Sequence, residues 1–214
     1  MQIQSDTIIN ALNWRYAVQV FDQTKVLEKE KLHTILESAR LAPSALGIEP
    51  WKFIVVENPE IRTQIQTAGF GQPKITDAPY LVVIAYRTDL DQTLVQERLE
   101  RTAKIQKQEI SEFGGLKQLL DGHMSSKSEA ELEKWAKAQA YIPLGMMIET
   151  AALLQVDSGP MEGFNPDAVD EVLGLKEKHL HATSMIAFGY RGEDAMAHRP
   201  KVRRDFDEAI EFIK

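Results

Sequence analysis

The sequence contains no cysteine, which excludes disulfide bonds, thiolate metal sites and cysteine nucleophiles. It also lacks the best-known short signatures of enzyme sites. There is no GxGxxG dinucleotide loop, no GxxxxGK[ST] phosphate loop, no HExxH zinc motif and no GxSxG nucleophile elbow. Several common enzyme classes are therefore excluded, and any catalytic chemistry must be sought in a different arrangement of residues.

Long apolar runs and an excess of positive charge are missing as well. No window approaches the roughly 18 consecutive apolar residues that are needed to cross a bilayer. The 25 Lys and Arg against 32 Asp and Glu give a net charge of −7, which opposes non-specific binding to nucleic acids and to anionic membranes. Residues 1–22 lack the charged start and apolar run of a secretory signal. We therefore expect a cytoplasmic protein with no membrane or nucleic-acid partner.

The length of 214 residues fits one domain spanning residues 1–214, and its balance of apolar and charged residues is that of a globular protein. Hydrophobic periodicity and capping signals predict the elements of that domain. Helices are predicted at 28–41, from Pro59 to about Ala68, along 132–155, and from Pro166 to the residue before Gly174. Strands are predicted at 52–57, 80–86 and 181–190. The second is a continuous apolar run, which predicts that it is buried on both faces.

The segment before the longest predicted helix is strongly charged. Residues 91–113 favour a helix, whereas Gly114-Gly115 and the stretch 121–128 indicate irregular connections. We expect an exposed helical insertion at about 91–127.

The helix along 132–155 is predicted to be the buried centre of the fold. Ser128 and Glu131 form a capping box before it, and its surface becomes apolar all round. Pro143 lies inside it and should produce a kink. Because helices alternate with few strands, we expect a small central β-sheet surrounded by helices, in an α+β or α/β fold.

Two histidines, His179 and His181, lie close together near a predicted strand. With a distant carboxylate they could form a metal site. Surface histidines are the simpler interpretation, and we predict no metal.

Three separate blocks combine cationic or small residues with turns: WRYAVQVFD, APSALGIEPW and HRPKVRRDFD. Arg15, Lys201 and Arg203 are side chains of the type that binds phosphate oxygens through charge-assisted hydrogen bonds. They are either an anion site assembled from both ends of the chain or separate solvated charges.

Four motifs give the sequence a resemblance to a known family. They are R-Y-A-V-x-x-F-D near residue 15, A-P-S-A-x-G-x-E-P-W-x-F-x-V-V at 42–56, P-M-E-G-F at 160–164, and K-V-R at 201–203. In this order and over nearly the whole chain, they resemble the nitroreductase family of FMN enzymes, in particular the oxygen-insensitive NAD(P)H nitroreductase and dihydropteridine reductase branch.

The resemblance implies an α+β homodimer with FMN at the subunit interface and a C-terminal segment that wraps over the partner. It assigns the FMN phosphate to Arg15, Lys201 and Arg203. Further roles follow for smaller residues: Tyr16 and Ala17 lend backbone groups beside the phosphate, and Pro43, Ser44 and Ala45 lie along the flavin from the neighbouring subunit.

The same resemblance places Lys74 at the N1/O2 edge of the flavin, where two-electron reduction develops negative charge. The backbone of Glu162 and Gly163 is expected to face N5. Two positions depart from the family pattern. Gln19, an uncharged donor, stands where relatives carry a second lysine, and Gly71 stands where an asparagine often contacts the O4/N3 edge.

The function implied is an FMN-dependent NAD(P)H oxidoreductase. It would pass two electrons by a ping-pong sequence to nitroaromatics, quinones or similar small molecules. No protein nucleophile is then required, in agreement with the missing motifs. The alternatives are a flavin or dihydropteridine reductase, and a non-catalytic protein that binds flavin through the same cations.

Overall fold

A four-stranded antiparallel sheet lies at the centre of the computed structural model, which describes residues 4–214. Its strands are β1 (Trp51–Val56), β2 (Tyr80–Arg87), β3 (Asp157–Met161) and β4 (Leu180–Gly189), in the order β1-β2-β4-β3. The central strands β2 and β4 are buried along nearly their whole length. This confirms the prediction that the run at 80–86 is covered on both faces, and it confirms the small-sheet α+β class.

Helices surround this sheet. They are α1 (Ser5–Trp14), α2 (Lys29–Arg40), α3 (Pro59–Ala68), α4 (Lys74–Asp77), α5 (Gln92–Gln106), α6 (Gly114–Ser125), α7 (Glu129–Leu153), α8 (Pro166–Leu173) and α9 (Phe206–Ala209). Helices α2 and α7 cover one face, where Ile35 and Met147 pack with Val82. Helices α3 and α8 cover the other, where Ile65 packs with Val83. Alternate residues of β2 therefore enter two different cores.

Caps confirm the predicted starts of α3 and α7 and the predicted end of α8. The helix predicted over 91–113 instead ends at Gln106, where Lys107 adopts the left-handed conformation. Ser128 and Glu131 form the reciprocal capping box of α7, and the helix continues through Pro143. The Asn58 side chain accepts hydrogen bonds from the first turn of α3. Gly174 ends α8 in the left-handed region at φ 57, where glycine carries no steric cost.

The predictions of irregular connections at Gly114-Gly115 and along 121–128 are wrong for residues 114–125, because α6 begins at Gly114 and continues to Ser125. Glycine costs only about 1 kcal/mol relative to alanine in a helix, a cost that the packing of α6 can outweigh. The expectation that the segment at about 91–127 is exposed holds only for part of it. Apolar residues of α5 and α6 form a third core with Ile48 and Leu132: Leu94, Val95, Leu99, Leu120 and Met124. That the segment is an insertion stays a prediction.

Strand β3 was not predicted, because its sequence DSGPM lacks a β-branched pattern. It is held by its pairing with β4, in which Gly159 lies opposite Ala187. Pro160 is compatible with this edge position, where one side of the strand makes no ladder bonds.

Among residues 4–214, no helix combines the length and apolar character required to cross a membrane. The expected cytoplasmic location stays a prediction.

Candidate functional site

A pocket of ≈ 380 Å³ opens between the end of α1 and the C-terminal segment. Residues 13–17, Gln19, 196–197 and 199–203 line it. Arg15, Lys201 and Arg203 are all among them, and the Lys201 ammonium donates to the Arg15 carbonyl oxygen across 186 sequence positions. The structure thus brings together the three cations that were predicted to form one anion site. We call this the cationic pocket.

The cations of this pocket lack acidic partners. Across residues 4–214, none of the three takes part in an ion pair, and the Arg15 Nε is buried without a hydrogen-bond partner. Burial, and then the charge of Arg203, lowers the pKa of Arg15. Burial also lowers the pKa of Lys201, with further contributions from Arg15 and Arg203. Both shifts show that burial and the neighbouring cations destabilise the positive charges of this pocket.

Asp194 connects the two segments that line the cationic pocket, the one after α1 and the C-terminal one. This buried carboxylate accepts hydrogen bonds from the Tyr16 hydroxyl at 3.1 Å, the Gln19 N–H at 2.9 Å and the Met196 N–H at 2.9 Å. Burial alone would raise the pKa of Asp194, but the hydrogen bonds from the backbone outweigh it and the pKa lies below its ordinary value. The carboxylate is therefore ionised and well bound near neutral pH.

Arg191 ties the same region to the sheet. Its guanidinium lies 4.2 Å from the Trp14 ring centroid and 4.6 Å from that of Tyr16, and its Nε donates to the buried Asp157 at 2.8 Å. Asp157, Arg191 and Asp194 were not predicted from the sequence. In a sequence, a single charged residue near a strand end is normally taken to be solvated, and its partners become visible only in the folded structure.

Lys74 lies at the start of α4, is 5% exposed, and approaches Gln19. Its ammonium donates to the Gln19 Oε1 at 3.3 Å, while the Gln19 Nε2 donates to the Ala17 carbonyl at 2.9 Å. Burial lowers the pKa of Lys74. The expectation of Gln19 as a donor is thus incomplete, because toward Lys74 this side chain is an acceptor.

Gly71, Glu162 and Gly163 lie on two neighbouring loops that do not line the cationic pocket. The Gln72 side chain joins these loops by donating to the Gly163 carbonyl at 2.7 Å and to the Gly69 carbonyl at 2.9 Å. Gly71 has φ 75, and a Cβ added at Gly71 or Gly163 would meet nothing within 4 Å. These backbones are open to close approach by another molecule.

Pro43, Ser44 and Ala45 lie elsewhere in the chain. The Ser44 Oγ accepts from the Glu49 N–H at 2.9 Å, and the Ala45 N–H donates to the Gln139 side chain at 2.7 Å. None of the three lines the cationic pocket. Their expected role toward a neighbouring subunit stays a prediction.

His181 makes a close pair with a carboxylate. Its Nδ1 lies 2.5 Å from an oxygen of the fully buried Asp170, whose other oxygen accepts from the Ala182 N–H at 2.9 Å. Asp167 brings a third donor atom, and the three lie within 4.8 Å of one another. His179 is not part of this group. Because Asp170 lies on α8 and its two partners lie on β4, these contacts hold the helix against the sheet.

Comparisons with known proteins agree on one family. The sequence model described as "Nitroreductase family" matches residues 12–190. A Staphylococcus haemolyticus protein named "Putative NAD(P)H nitroreductase" is 36% identical, with 100% of both chains covered. A protein of the same name from Staphylococcus aureus strain N315 is 37% identical over 100% of this chain and 98% of its own length.

Solved structures share the fold. A nitroreductase-like protein from Streptococcus mutans superposes with a TM-score of 0.85 at 20% identity, covering 99% of this chain and 100% of that one. An Exiguobacterium sibiricum protein solved in complex with FMN superposes with a TM-score of 0.80 at 18% identity, covering 100% and 99%.

Proposed function

The chain belongs to the nitroreductase family, and on that premise we propose that it is an FMN-dependent NAD(P)H oxidoreductase. The observation that carries the proposal is the cationic pocket. Three cations without acidic partners converge there, and one of them holds a buried nitrogen with no hydrogen-bond partner among residues 4–214. A phosphate monoester supplies the missing negative charge and acceptor oxygens. Arg15, Lys201 and Arg203 would hold the FMN phosphate.

The surroundings of the pocket fit the rest of FMN. Lys74 presents a buried ammonium that donates to a neutral amide, so its charge is not cancelled. Gly71 and Gly163 leave their backbones uncovered, which suits a flat ring system. When bound, FMN supplies two-electron transfer between a nicotinamide donor and an acceptor. Lys74 would balance the negative charge that reduction places at the N1/O2 edge.

We propose ping-pong turnover, in which NAD(P)H gives up a hydride and leaves as NAD(P)+ before the acceptor binds and takes the two electrons. Nitroaromatics, quinones and related small molecules are the expected acceptors. Flavin chemistry requires no protein nucleophile, so the residues of the chain would act by binding, by orienting and by electrostatic stabilisation.

A homodimer is part of the proposal. The C-terminal segment exposes large apolar side chains that a single chain leaves uncovered, with Phe206 65%, Phe212 72% and Ile213 93% exposed. Ile9 on α1 is 55% exposed as well. Apolar side chains concentrated in this way mark interaction surfaces. Burial against a second copy would also bring Ser44 and its neighbours to the partner's cofactor.

Initial-rate kinetics test the proposal. NAD(P)H oxidation is measured with the FMN-loaded protein at several fixed quinone concentrations. Ping-pong turnover predicts parallel double-reciprocal lines, and intersecting lines would contradict that order. A protein that binds FMN without any turnover would instead favour the non-catalytic alternative, and turnover confined to free flavin or dihydropteridine would favour the reductase alternative.

A further inference from the structure

The environment of Lys74 is unusual for a lysine. The side chain is 5% exposed, and no ion pair among residues 4–214 includes it. A Cβ added at Gly159 would lie 3.3 Å from the Lys74 Cδ, so the stem of Lys74 runs close over this backbone. A buried ammonium is costly unless it is hydrogen-bonded. The Lys74 Nζ donates to the Gln19 Oε1 at 3.3 Å.

The orientation of the Gln19 amide is set by its other contacts. One end of an amide side chain donates and the other accepts. The Ala17 carbonyl takes the Nε2 end at 2.9 Å, which leaves Oε1 directed at Lys74. The Gln19 backbone is fixed in turn, because its N–H donates to Asp194 at 2.9 Å.

We propose that Gln19 is a positioning residue that holds the Lys74 ammonium in place without neutralising it. A carboxylate at this position would bind the ammonium more strongly but would cancel its charge. An apolar side chain would leave the buried ammonium without its partner. Only a neutral acceptor keeps Lys74 both fixed and electrostatically active. This inference rests on the proposed function, because the charge is held for reduced FMN.

The test compares Gln19→Glu with Gln19→Met by two measurements. The first is the pKa of the Lys74 ammonium in the FMN-free protein, followed by NMR titration and assigned with Lys74→Arg. The second is the midpoint potential of bound FMN. Gln19→Glu should raise the Lys74 pKa by about 1 unit or more, since an opposite charge is added. Gln19→Met should lower it, because the acceptor is lost.

Both variants should lower the midpoint potential, by about 30 mV for each tenfold loss in the equilibrium constant for reduction. The two variants should thus shift the Lys74 pKa in opposite directions but change the FMN potential in the same direction. A residue with only a general structural role would not produce this combination. Gln66→Met is the matched control. The Gln66 amide donates to Thr76 on α4 at 3.0 Å, and among residues 4–214 it forms no hydrogen bond with Lys74, so neither quantity should change.

Unchanged Lys74 pKa and potential in both Gln19 variants would overturn the inference. So would shifts of the same size in Gln66→Met. If the parent fails to bind FMN, the proposed function fails, whereas the NMR titration still decides whether Gln19 controls the Lys74 ammonium.

Discussion

Arg203→Ala should weaken FMN binding while leaving the FMN-free protein at least as stable as the parent. The charge of Arg203 adds to burial in lowering the pKa of Arg15 and of Lys201. Without an anion the three cations therefore repel one another. Removing one of them relieves this repulsion but also removes a phosphate contact.

The structure sets the size of the effect. A hydrogen bond to a charged group contributes about 1.5–3 kcal/mol. Arg203 is exposed, and solvent screening places its contribution at the lower end. We expect the Kd for FMN to rise about tenfold, since 1.4 kcal/mol corresponds to a factor of ten. Arg15 is only partly exposed, so Arg15→Met should cost nearer to a hundredfold.

The assay is a titration of FMN-free protein with FMN, followed by flavin fluorescence, together with thermal unfolding of the FMN-free protein. Arg204→Ala is the matched control, because Arg204 is an exposed neighbour that does not line the pocket. The reasoning is refuted if Arg203→Ala binds FMN as tightly as the parent. It is equally refuted if Arg204→Ala loses as much affinity, or if FMN-free Arg203→Ala unfolds well below the parent.

Three further predictions follow from the same contacts. Asp194→Asn should destabilise the protein by about 1–3 kcal/mol at neutral pH in denaturant unfolding, because the ionised acceptor is lost. Folding lowers the pKa of Asp194, so the difference in unfolding free energy between parent and variant should be fully present above about pH 4. It should shrink as the pH falls through the pKa that Asp194 has in the folded protein, and a pH-independent difference would exclude the role of ionisation. Lys74→Gln should lower the midpoint potential of bound FMN by about 30–60 mV in spectroelectrochemical titration, and an unchanged potential would make Lys74 a structural lysine. The FMN-loaded protein should sediment as a dimer of the 24.2 kDa chain, and a fully loaded monomer would contradict the proposed interface.

The helices and central strands could be predicted because their signals are local. Asn58 before Pro59, the pair Ser128 and Glu131, and Gly174 each act within one or two turns of a helix. Strand β3 could not be predicted in this way, since its conformation depends on the pairing with β4 rather than on its own residues.

The candidate site was predictable only in part. Family resemblance pointed to Arg15, Lys201 and Arg203, and the structure places them around one pocket. The residues that hold this pocket together were not predictable, because Asp194 acts through backbone groups 174 and 175 positions away. The orientation of the Gln19 amide is likewise set by the backbone carbonyl of Ala17. Backbone groups are the same in every residue, so the sequence gives no signal of this contact.

The most direct test of the central claim is an anaerobic double-mixing experiment on the FMN-loaded protein. NADH or NADPH is mixed first, and a quinone is added after the donor has been consumed. The proposed function predicts that the yellow flavin colour is lost in the first step and returns in the second, with one equivalent of donor oxidised per bound FMN. A flavin that stays yellow with both donors, or that is bleached and not reoxidised by any quinone or nitroaromatic, would contradict it.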